Sequence, residues 1–256
     1  MEKVQIIDAT ADTIGQFGFC GFKSTKQEGY RRKTEWLKKR FAEGMRFKIL
    51  HSPDDGAVGF IEYIPGEFAW RPIEAPGYLV IHCLMINRRE YKGHGYGSLL
   101  VKHCIQDARR SKARGVAVVT SGGTWMAGKG LFLRCGFETV ASAPPSYELL
   151  VRKLSKAPPP RFKNGWDERL RRYGRGLAII RSGQCPCIAK FTTEILQTCK
   201  ELGVRARVVD IENHRQAQDV PWAYGVFGIV YDGKLVADHP VSKTRFRNIM
   251  RTLGRR

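Results

Sequence analysis

The sequence predicts an α/β protein with two domains, a larger one built on a mixed sheet and a smaller one that follows it. An apolar segment ending at residue 86 runs into three closely spaced glycines and then a helical pattern, which indicates a strand that turns into a helix. A proline-rich basic segment, residues 155–165, then interrupts the chain. A second apolar segment at 176–182 again turns into a helical pattern. The length of 256 residues also fits two domains, since a domain holds roughly 150 residues.

The elements of the first half follow from periodicity and turn residues. Alternating or continuous apolar residues predict strands, apolar residues three and four apart predict helices, and Pro-Asp-Asp-Gly predicts a hairpin turn at 53–56. The predicted strands are 4–8, 45–50, 57–64, 78–86, 116–121 and 147–154. The predicted helices are a basic one at 34–42, one with apolar residues between 99 and 108 that ends near Gly115, and one that closes on residues 135–137.

The second half shows the same alternation after the linker. A short helix is predicted at 166–174, and a strand at 176–182 leads through the turn 183–187 into a helix that ends near Gly203. The remaining elements are a strand at 206–213, a hairpin at 226–236 around Asp232 and Gly233, and a basic helix at 242–253.

The glycine-rich turn predicts an anion site. Gly93, Gly95 and Gly97 lack a Cβ and let the backbone approach a ligand, and the amides of residues 95–98 converge at the start of a helix. The turn lacks the Gly-Lys-Ser/Thr ending of a P-loop and the GxGxxG spacing of a dinucleotide fold. The sequence therefore favours a phosphate-bearing ligand of another class.

This turn resembles the diphosphate-binding turn of the GNAT acyltransferases, [QR]xxGx[GA], with Lys92 in the Arg/Gln position and Gly95 and Gly97 as the small residues. The order of elements over residues 1–155 is also similar to that family, including the Gly-Phe pair that follows the second helix. The second half resembles the C-terminal, thioredoxin-like domain of YoaP-type acetyltransferases, mainly through AYGVFGIVYDGK at 223–234. The expected organisation is a GNAT domain at 1–155, a basic linker with a short helix at 156–173, and a thioredoxin-like domain at 174–256.

The resemblance implies transfer of an acetyl group from acetyl-CoA, as cosubstrate, to an amine of a small molecule or peptide. In the GNAT family, the strand before the glycine turn diverges from its neighbour, and its end binds the pantetheine and polarises the thioester. The residues implied in acetyl-CoA binding are Leu84, Met85 and Ile86 on that strand and Lys92, Gly93, His94, Gly95, Tyr96, Gly97 and Ser98 in the turn. Residues 18–32 either cap the acceptor site or form a surface loop.

A general base and a general acid are harder to place. Period-two alternation puts His82 on the same strand face as Leu84 and Ile86, and its ordinary pKa near 6.5 suits a base. The alternative is a histidine whose hydrogen bonds are satisfied within the sheet. Phe132 stands where many GNAT members carry a tyrosine acid, so Tyr147, water, or no specific acid would serve.

Cys185 is a candidate reactive thiol. It lies in a turn before a helix, where the helix dipole and Arg181 would favour the thiolate. Two alternatives are a small apolar residue in a turn and a weak soft-metal ligand. The spacing to Cys187 is CxC and not the CxxC of a dithiol redox pair, and the other five cysteines are expected in the core. No metal site is predicted.

The net charge of +20 and the seven cysteines bear on partners and compartment. The basic residues are spread over both halves, no nucleic-acid motif is present, and the phosphates of CoA would account for part of the field, so nucleic acid is not the favoured partner. The irregular cysteine pattern, the absence of a leader-like start, and the lack of an apolar run of about 20 residues predict a cytoplasmic protein that does not enter a membrane.

Three functions remain open from the sequence. The favoured one is an acetyl-CoA-dependent N-acyltransferase with an accessory domain. The alternatives are a thiol-redox or metal-handling protein acting through Cys185, and a basic protein associated with nucleic acid.

Overall fold

The computed structural model describes residues 4–20, 22, 24–123 and 125–254. The strands are β1 (Gln5–Ala9), β2 (Arg46–Ser52), β3 (Gly56–Pro65), β4 (Ile73–Glu74), β5 (Tyr78–Ile86), β6 (Gly115–Ser121), β7 (Glu138–Ala143), β8 (Tyr147–Lys153), β9 (Arg161–Phe162), β10 (Leu177–Arg181), β11 (Ala206–Asp210), β12 (Phe227–Tyr231) and β13 (Lys234–Ala237). The helices are α1 (Glu28–Phe41), α2 (Tyr96–Arg110), α3 (Lys129–Arg134), α4 (Trp166–Arg171), α5 (Cys187–Glu201), α6 (His214–Asp219) and α7 (Lys243–Leu253).

The larger sheet is mixed, as predicted. Its seven strands lie in the order β1-β2-β3-β5-β6-β8-β7. Strand β5 pairs in parallel with β6, and α2 makes the crossover between them. The other neighbouring strands are antiparallel. Apolar side chains cover both faces of this sheet, one face packing with α2 and the other with α1 and the second half of the chain.

The smaller sheet has four strands in the order β11-β10-β12-β13. Strands β10 and β11 are parallel and joined through α5, whereas β12 is antiparallel to β10 and β13 is antiparallel to β12. Helix α7 packs on α5 and begins with a cap, in which Ser242 accepts a hydrogen bond from the backbone of Arg245 at 3.3 Å.

The segment between the two sheets is more ordered than the predicted extended linker. Residues 161–162 form β9, which pairs antiparallel with β4. The Phe162 side chain is buried, and its ring centroid lies 6.0 Å from that of Trp166 at the start of α4. The composition of the segment suggested an unpacked chain, but the strand pairing and the buried Phe162 side chain attach it to the first half of the molecule.

Helix α1 brings the two halves together. It begins at Glu28, earlier than the predicted start at residue 34, and the buried side chains of Tyr30 and Lys33 extend its inward face toward the N-terminus. A Cβ on Gly29 would lie 2.0 Å from the carbonyl oxygen of Pro186, directly before α5. Only glycine permits this approach, so the closeness of α1 and α5 is specified by the sequence.

No helix in the described residues 4–20, 22, 24–123 and 125–254 is both long and apolar enough to span a membrane.

Candidate functional site

Strands β5 and β6 pair at one end and separate at the other. Their parallel pairing runs from Tyr78 opposite Gly115 to Ile81 opposite Val118 and ends there. A cavity of about 390 Å³ lies in the opening, and the C-terminal end of β5 lines it with Leu84, Met85 and Ile86. This is the divergence that the resemblance stated in the sequence analysis implied, and it leaves backbone groups of β5 free of pairing with β6.

A β-bulge at His82 changes the phase of β5. On the neighbouring strand β3, Tyr63 lies opposite Ile81 and Glu62 lies opposite Cys83, so His82 is the extra residue. Its ring lies beside Trp36 of α1, at 6.2 Å between centroids, on the face that packs against the second half of the chain. Leu84 and Ile86 pack with the apolar cluster around α2, on the opposite face from His82. The predicted common face is therefore wrong, because the extra residue of the bulge interrupts the regular alternation of side chains along the strand.

One ring nitrogen of His82 has a backbone partner, whereas Nδ1 is buried without a hydrogen-bond partner among the described residues. The backbone N–H of Trp70 donates to Nε2 at 2.9 Å, so the neutral ring carries its proton on Nδ1. Burial lowers the pKa of His82 well below its usual value, and the positive charges of Arg71, Lys33 and Arg40 lower it further. The ring is therefore neutral at physiological pH, with its basic nitrogen already occupied.

The glycine turn has the geometry expected of an anion site. Gly93 and Gly95 adopt φ of 83° and 82°, and α2 begins directly after Gly95. No side chain within the described part of the chain caps this helix, so the amides of Tyr96, Gly97 and Ser98 at its first turn are free to bind a ligand. A Cβ on either Gly93 or Gly95 would meet open space, which is the space a diphosphate requires.

The segment before the turn is held against the hairpin of β2 and β3. Asp55 in the hairpin turn forms an ion pair with Arg88 and accepts a hydrogen bond from the hydroxyl of Tyr91 at 2.9 Å. Lys92, the next residue, lines the cavity. The turn and the end of β5 therefore lie along one path that leads from the start of α2 into the cavity.

A buried charge network lies where the two halves of the chain meet, and sequence analysis did not identify it. Lys33 of α1 and Glu62 of β3 form an ion pair, with side chains that are 2% and 0% exposed. Gln184, in the turn before α5, donates from Nε2 to Oε1 of Glu62 at 3.1 Å and accepts from Nη1 of Arg71 at 2.9 Å. Arg71 also donates to the carbonyl oxygen of His82 at 2.8 Å. The network joins both halves of the chain to the bulge in β5.

Four of the seven cysteines line the same cavity, although they are far apart in the sequence. They are Cys20, Cys83, Cys185 and Cys187. Cys20 and Cys83 were expected in the core. Both are partly buried and pack against it, but both also line the cavity. Burial and then the charge of Glu62 raise the pKa of Cys83 to about 12, and burial is also the main reason why the pKa of Cys20 is raised.

The local environment favours the thiolate at Cys187 and disfavours it at Cys185, the thiol that the sequence analysis singled out. Cys185 donates a hydrogen bond to Cys187, which raises the pKa of Cys185 well above its usual value and lowers that of Cys187. Cys187 is also the first residue of α5, where the helix dipole favours an anion. Arg181, expected to help Cys185, donates to Asp210 at 2.9 Å, so its charge is already paired.

The candidate acids lie apart from each other. Phe132 lines the cavity and packs on Phe137, with 5.6 Å between ring centroids, as a packing residue would. Tyr147 lines a second, smaller cavity of about 90 Å³. Burial and the neighbouring charge of Asp238 raise the pKa of Tyr147.

Among the residues that the structure describes, no group of three or more His, Cys, Asp or Glu side chains is arranged to hold a metal ion.

Comparison with protein families decides the class of the larger domain. Residues 17–137 match the model of the acetyltransferase (GNAT) family. This stretch is similar to a GNAT acetyltransferase domain. The predicted enzyme class, an N-acyltransferase, and its cosubstrate acetyl-CoA are thereby confirmed, and the matched residues include both the diverging strand and the glycine turn.

The similarity extends beyond the GNAT domain. Residues 206–248, which contain β11 to β13, match the YoaP-like family model. Over 253 residues the chain is 29% identical to a protein of Bacillus subtilis (strain 168) named "Uncharacterized N-acetyltransferase YoaP", and the match covers 97% of this chain and 99% of that protein. The match therefore extends over both halves of the chain.

Solved structures similar to the GNAT domain come from several organisms. The PaiA N-acetyltransferase of Thermoplasma acidophilum, determined in complex with coenzyme A, is 14% identical, covers 59% of this chain and 99% of its own, and has a TM-score of 0.43. A GNAT-family acetyltransferase of Staphylococcus aureus Mu50 is 14% identical, covers 60% and 100% of the two chains, and has a TM-score of 0.44.

Proposed function

We propose that the protein transfers the acetyl group of acetyl-CoA to an amine of a small molecule or peptide that enters the cavity between β5 and the start of α5. The observation that carries this proposal is the shared lining of the cavity. Leu84, Met85 and Ile86 line it from the GNAT domain, and Cys185 and Cys187 line it from the second half of the chain. The second half therefore contributes directly to the place where the thioester would react.

The donor is proposed to bind in two parts. Its diphosphate would accept hydrogen bonds from the amides around Gly95, where the helix dipole of α2 also favours negative charge. Its pantetheine arm would follow Lys92 and the free edge of β5 into the cavity. A backbone N–H at the end of β5 would then stabilise the oxyanion, a contribution of about 3 kcal/mol when such a donor is preorganised.

The second half is proposed to be a thioredoxin-like domain of residues 174–256, preceded by the linker region 156–173 and the GNAT domain of residues 1–155. The strand order β11-β10-β12-β13, with a parallel pair joined by α5 and two antiparallel strands after it, supports this proposal. The cysteines of its turn have CxC spacing, so we propose a role in shaping the cavity and not a dithiol redox cycle. We also propose that the protein is located in the cytoplasm, because all seven cysteines are free and disulfides are rare in that reducing compartment.

The acceptor is proposed to be a small molecule or the end of a peptide. The cavity is lined mainly by apolar side chains, among them Val118, Trp125 and Met126. Trp125 is held in place by Phe191 of α5, with 5.3 Å between ring centroids. An apolar cavity of this size excludes water from the thioester and admits one small group at a time.

A screen of amines tests the proposal. The full chain is incubated with acetyl-CoA and a set of small amines and peptides with free amino groups, and products are identified by mass spectrometry. We expect an acetylated amine that appears with an equal amount of free CoA. If acetyl-CoA binds in calorimetry but no amine, at any concentration tested, is acetylated, the proposed acceptor class is wrong.

A further inference from the structure

We propose that the small cavity of about 90 Å³ binds a second, positively charged nitrogen of the acceptor, so that the preferred acceptors carry two amino groups. This inference rests on the proposed function and deepens it, because it names the class of acceptor. It is carried by Asp238, a buried carboxylate that lines the small cavity and has one oxygen without a hydrogen-bond partner among the described residues.

Asp238 has unused hydrogen-bonding capacity. Its Oδ1 lies 2.5 Å from Nδ1 of His239, whereas its Oδ2 is buried without a hydrogen-bond partner among the residues that the structure describes. The Tyr147 hydroxyl lies close to the carboxylate but makes no well-aligned hydrogen bond with Oδ2. A buried polar oxygen without a partner costs free energy, and a ligand that donates a hydrogen bond to Asp238 would remove this cost.

The charge of Asp238 also lacks a lysine or arginine partner within the described part of the chain. The other two buried carboxylates, Glu62 and Asp107, both form ion pairs with lysine. Burial acts to raise the pKa of Asp238, but the hydrogen bond and charge of His239 outweigh it and lower the pKa, so the group is ionised at physiological pH. The chain has 44 basic and only 24 acidic residues, yet no basic side chain other than His239 pairs with this carboxylate. A cationic ligand would supply the missing charge.

The wall of the small cavity suits a cation. Trp125, Tyr147 and Tyr224 line it together with Met126 and the carboxylate. Aromatic rings attract cations, most strongly where water is excluded, and a carboxylate beside them favours an ammonium group over an anion or a neutral group. The volume is that of roughly three water molecules, which admits the end of an aliphatic amine.

Arg71 does not fill this role itself. Its guanidinium lies 5.8 Å from the centroid of the Tyr224 ring, but its described hydrogen bonds go to Trp70, His82 and Gln184. It makes no ion pair with Asp238 among the described contacts, so the carboxylate remains available to a ligand.

The small cavity adjoins the larger cavity of about 390 Å³, because Trp125 and Met126 line both. One acceptor can therefore place a neutral nitrogen in the larger cavity and a charged nitrogen beside Asp238. The acetyl group would pass from the CoA sulfur to the neutral nitrogen. The C–S bond breaks, a C–N bond forms, and the proton that the nitrogen loses ends on the CoA thiol. The charged nitrogen takes no part in this step and holds the acceptor in place.

Both halves of the chain build this subsite. Trp125 and Tyr147 come from the first half, whereas Tyr224 and Asp238 come from the second half, with Asp238 directly after β13. The second half would thus select the acceptor, while the first half binds the donor.

The test compares linear diamines with linear monoamines of the same chain length. The full chain is supplied with acetyl-CoA and each amine, and the release of CoA is followed. We expect kcat/KM for the best diamine to exceed that of its matched monoamine by at least about 30-fold, the effect of one buried charge partner. The diamine series should also show one optimal chain length, because the two nitrogens must reach two cavities. Equal kcat/KM values for the two series would overturn the inference.

Binding alone provides a second readout. Calorimetry measures the affinity of the full chain for every diamine and monoamine in the absence of acetyl-CoA. Asp238→Asn keeps the size of the side chain and an acceptor for His239 but removes the charge, so its affinity for diamines should fall by at least about 30-fold. Asp167→Asn is the matched control, because Asp167 is exposed at the start of α4 and lines neither cavity. Its affinity should equal that of the unmodified chain.

The outcomes separate this inference from the proposed function. If monoamines are acetylated and diamines bind no more tightly than they do, the proposed function stands and the cation subsite is refuted. If diamines bind in a way that depends on Asp238 but no amine is acetylated, the subsite stands and the proposed function fails. The comparison of the two amine series needs no variant, so it remains decisive even if Asp238→Asn does not fold.

A crystal structure with a bound diamine locates the subsite. It should place one nitrogen about 2.8 Å from a carboxylate oxygen of Asp238. A diamine bound elsewhere, with only water in the small cavity, would refute the inference.

Discussion

The side chain of Gln184 hydrogen-bonds to Glu62 across the boundary between the two sheets, with 3.1 Å between Nε2 and Oε1. Gln184 belongs to the turn that precedes α5, and Glu62 to the centre of the GNAT sheet. The same glutamine also receives a hydrogen bond from Arg71, so one amide satisfies two buried charged groups. The turn before α5 therefore supplies a partner to two buried charged groups of the first half of the chain.

Replacement of Gln184 should destabilise the whole chain. In Gln184→Ala, Oε1 of Glu62 and Nη1 of Arg71 each lose a buried hydrogen-bond partner, and we expect a loss of about 1–3 kcal/mol in the free energy of unfolding. Urea denaturation measures this loss. Gln197→Ala is the control, because Gln197 lies on the exposed side of α5 and its only described side-chain bond is a long one of 3.4 Å to Glu201. Equal midpoints for the two variants would show that the bridge contributes nothing.

The ion pair of Lys33 and Glu62 should behave as a buried pair. Lys33→Met leaves the Glu62 carboxylate with an unbalanced charge in the interior, and we expect a loss of about 3–5 kcal/mol. Lys33→Met combined with Glu62→Gln removes that charge and should recover a substantial part of the loss. Denaturation of the single and double variants provides the measurement. A double variant that is less stable than Lys33→Met would mean that the charge of Glu62 is balanced by a group other than Lys33.

Stability should fall as the pH falls below about 6.5, the ordinary pKa of histidine, in part because of His82. Its folded-state pKa is lowered, so the unfolded chain binds a proton that the folded chain does not. The slope from this one group can reach about 1.4 kcal/mol per pH unit. In His82→Gln the amide oxygen can still accept from Trp70 but cannot titrate. The contribution of this residue to the pH dependence of the unfolding free energy should therefore disappear below about pH 6.5, the ordinary pKa of histidine.

The same variant tests the catalytic interpretation of His82. If the ring is structural, His82→Gln should leave the pH profile of the acetyl-transfer rate unchanged in shape, even if the rate itself is lower. A profile that loses its ascending limb in His82→Gln would restore the general base predicted from the sequence.

A negative charge at Gly95 should prevent donor binding. Gly95→Asp places a carboxylate where the diphosphate would lie, and repulsion of about 4 kcal/mol at short range predicts at least a 100-fold loss of acetyl-CoA affinity in calorimetry. Gly95→Asn is the matched control, because asparagine has the same size, carries no charge, and tolerates the φ of 82° at this position. An equal loss of affinity in the two variants would point to distortion of the turn and not to a charge at the diphosphate.

Much of the fold could be predicted from the sequence, because local patterns determine it. Strand β5 agrees with its predicted bounds, and the two-residue turn at Asp232 and Gly233 joins β12 and β13 as expected. Strand β7 was not predicted, since all its residues except Ala143 are partly or fully exposed and its apolar alternation is weak. The short pairing of β4 with β9 also lacks a local signal, because it joins residues that are 89 positions apart, from Ile73 to Phe162.

The glycine turn and the strand end were predictable, but the electrostatics of the cavity were not. The partners of His82 depend on a bulge that adds one residue to β5, and alternation alone gives no sign of it. The choice between Cys185 and Cys187 depends on which thiol donates to the other. The burial of Lys33 depends on Glu62 and on the docking of the second sheet. These are long-range relationships that composition and spacing do not contain.

A crystal structure of the full chain with bound CoA tests the central claim most directly. We predict that the diphosphate accepts hydrogen bonds from the amides of residues 95–98, and that the CoA sulfur lies in the cavity between Leu84 and Cys187. A diphosphate bound away from α2, or a sulfur outside this cavity, would contradict the account.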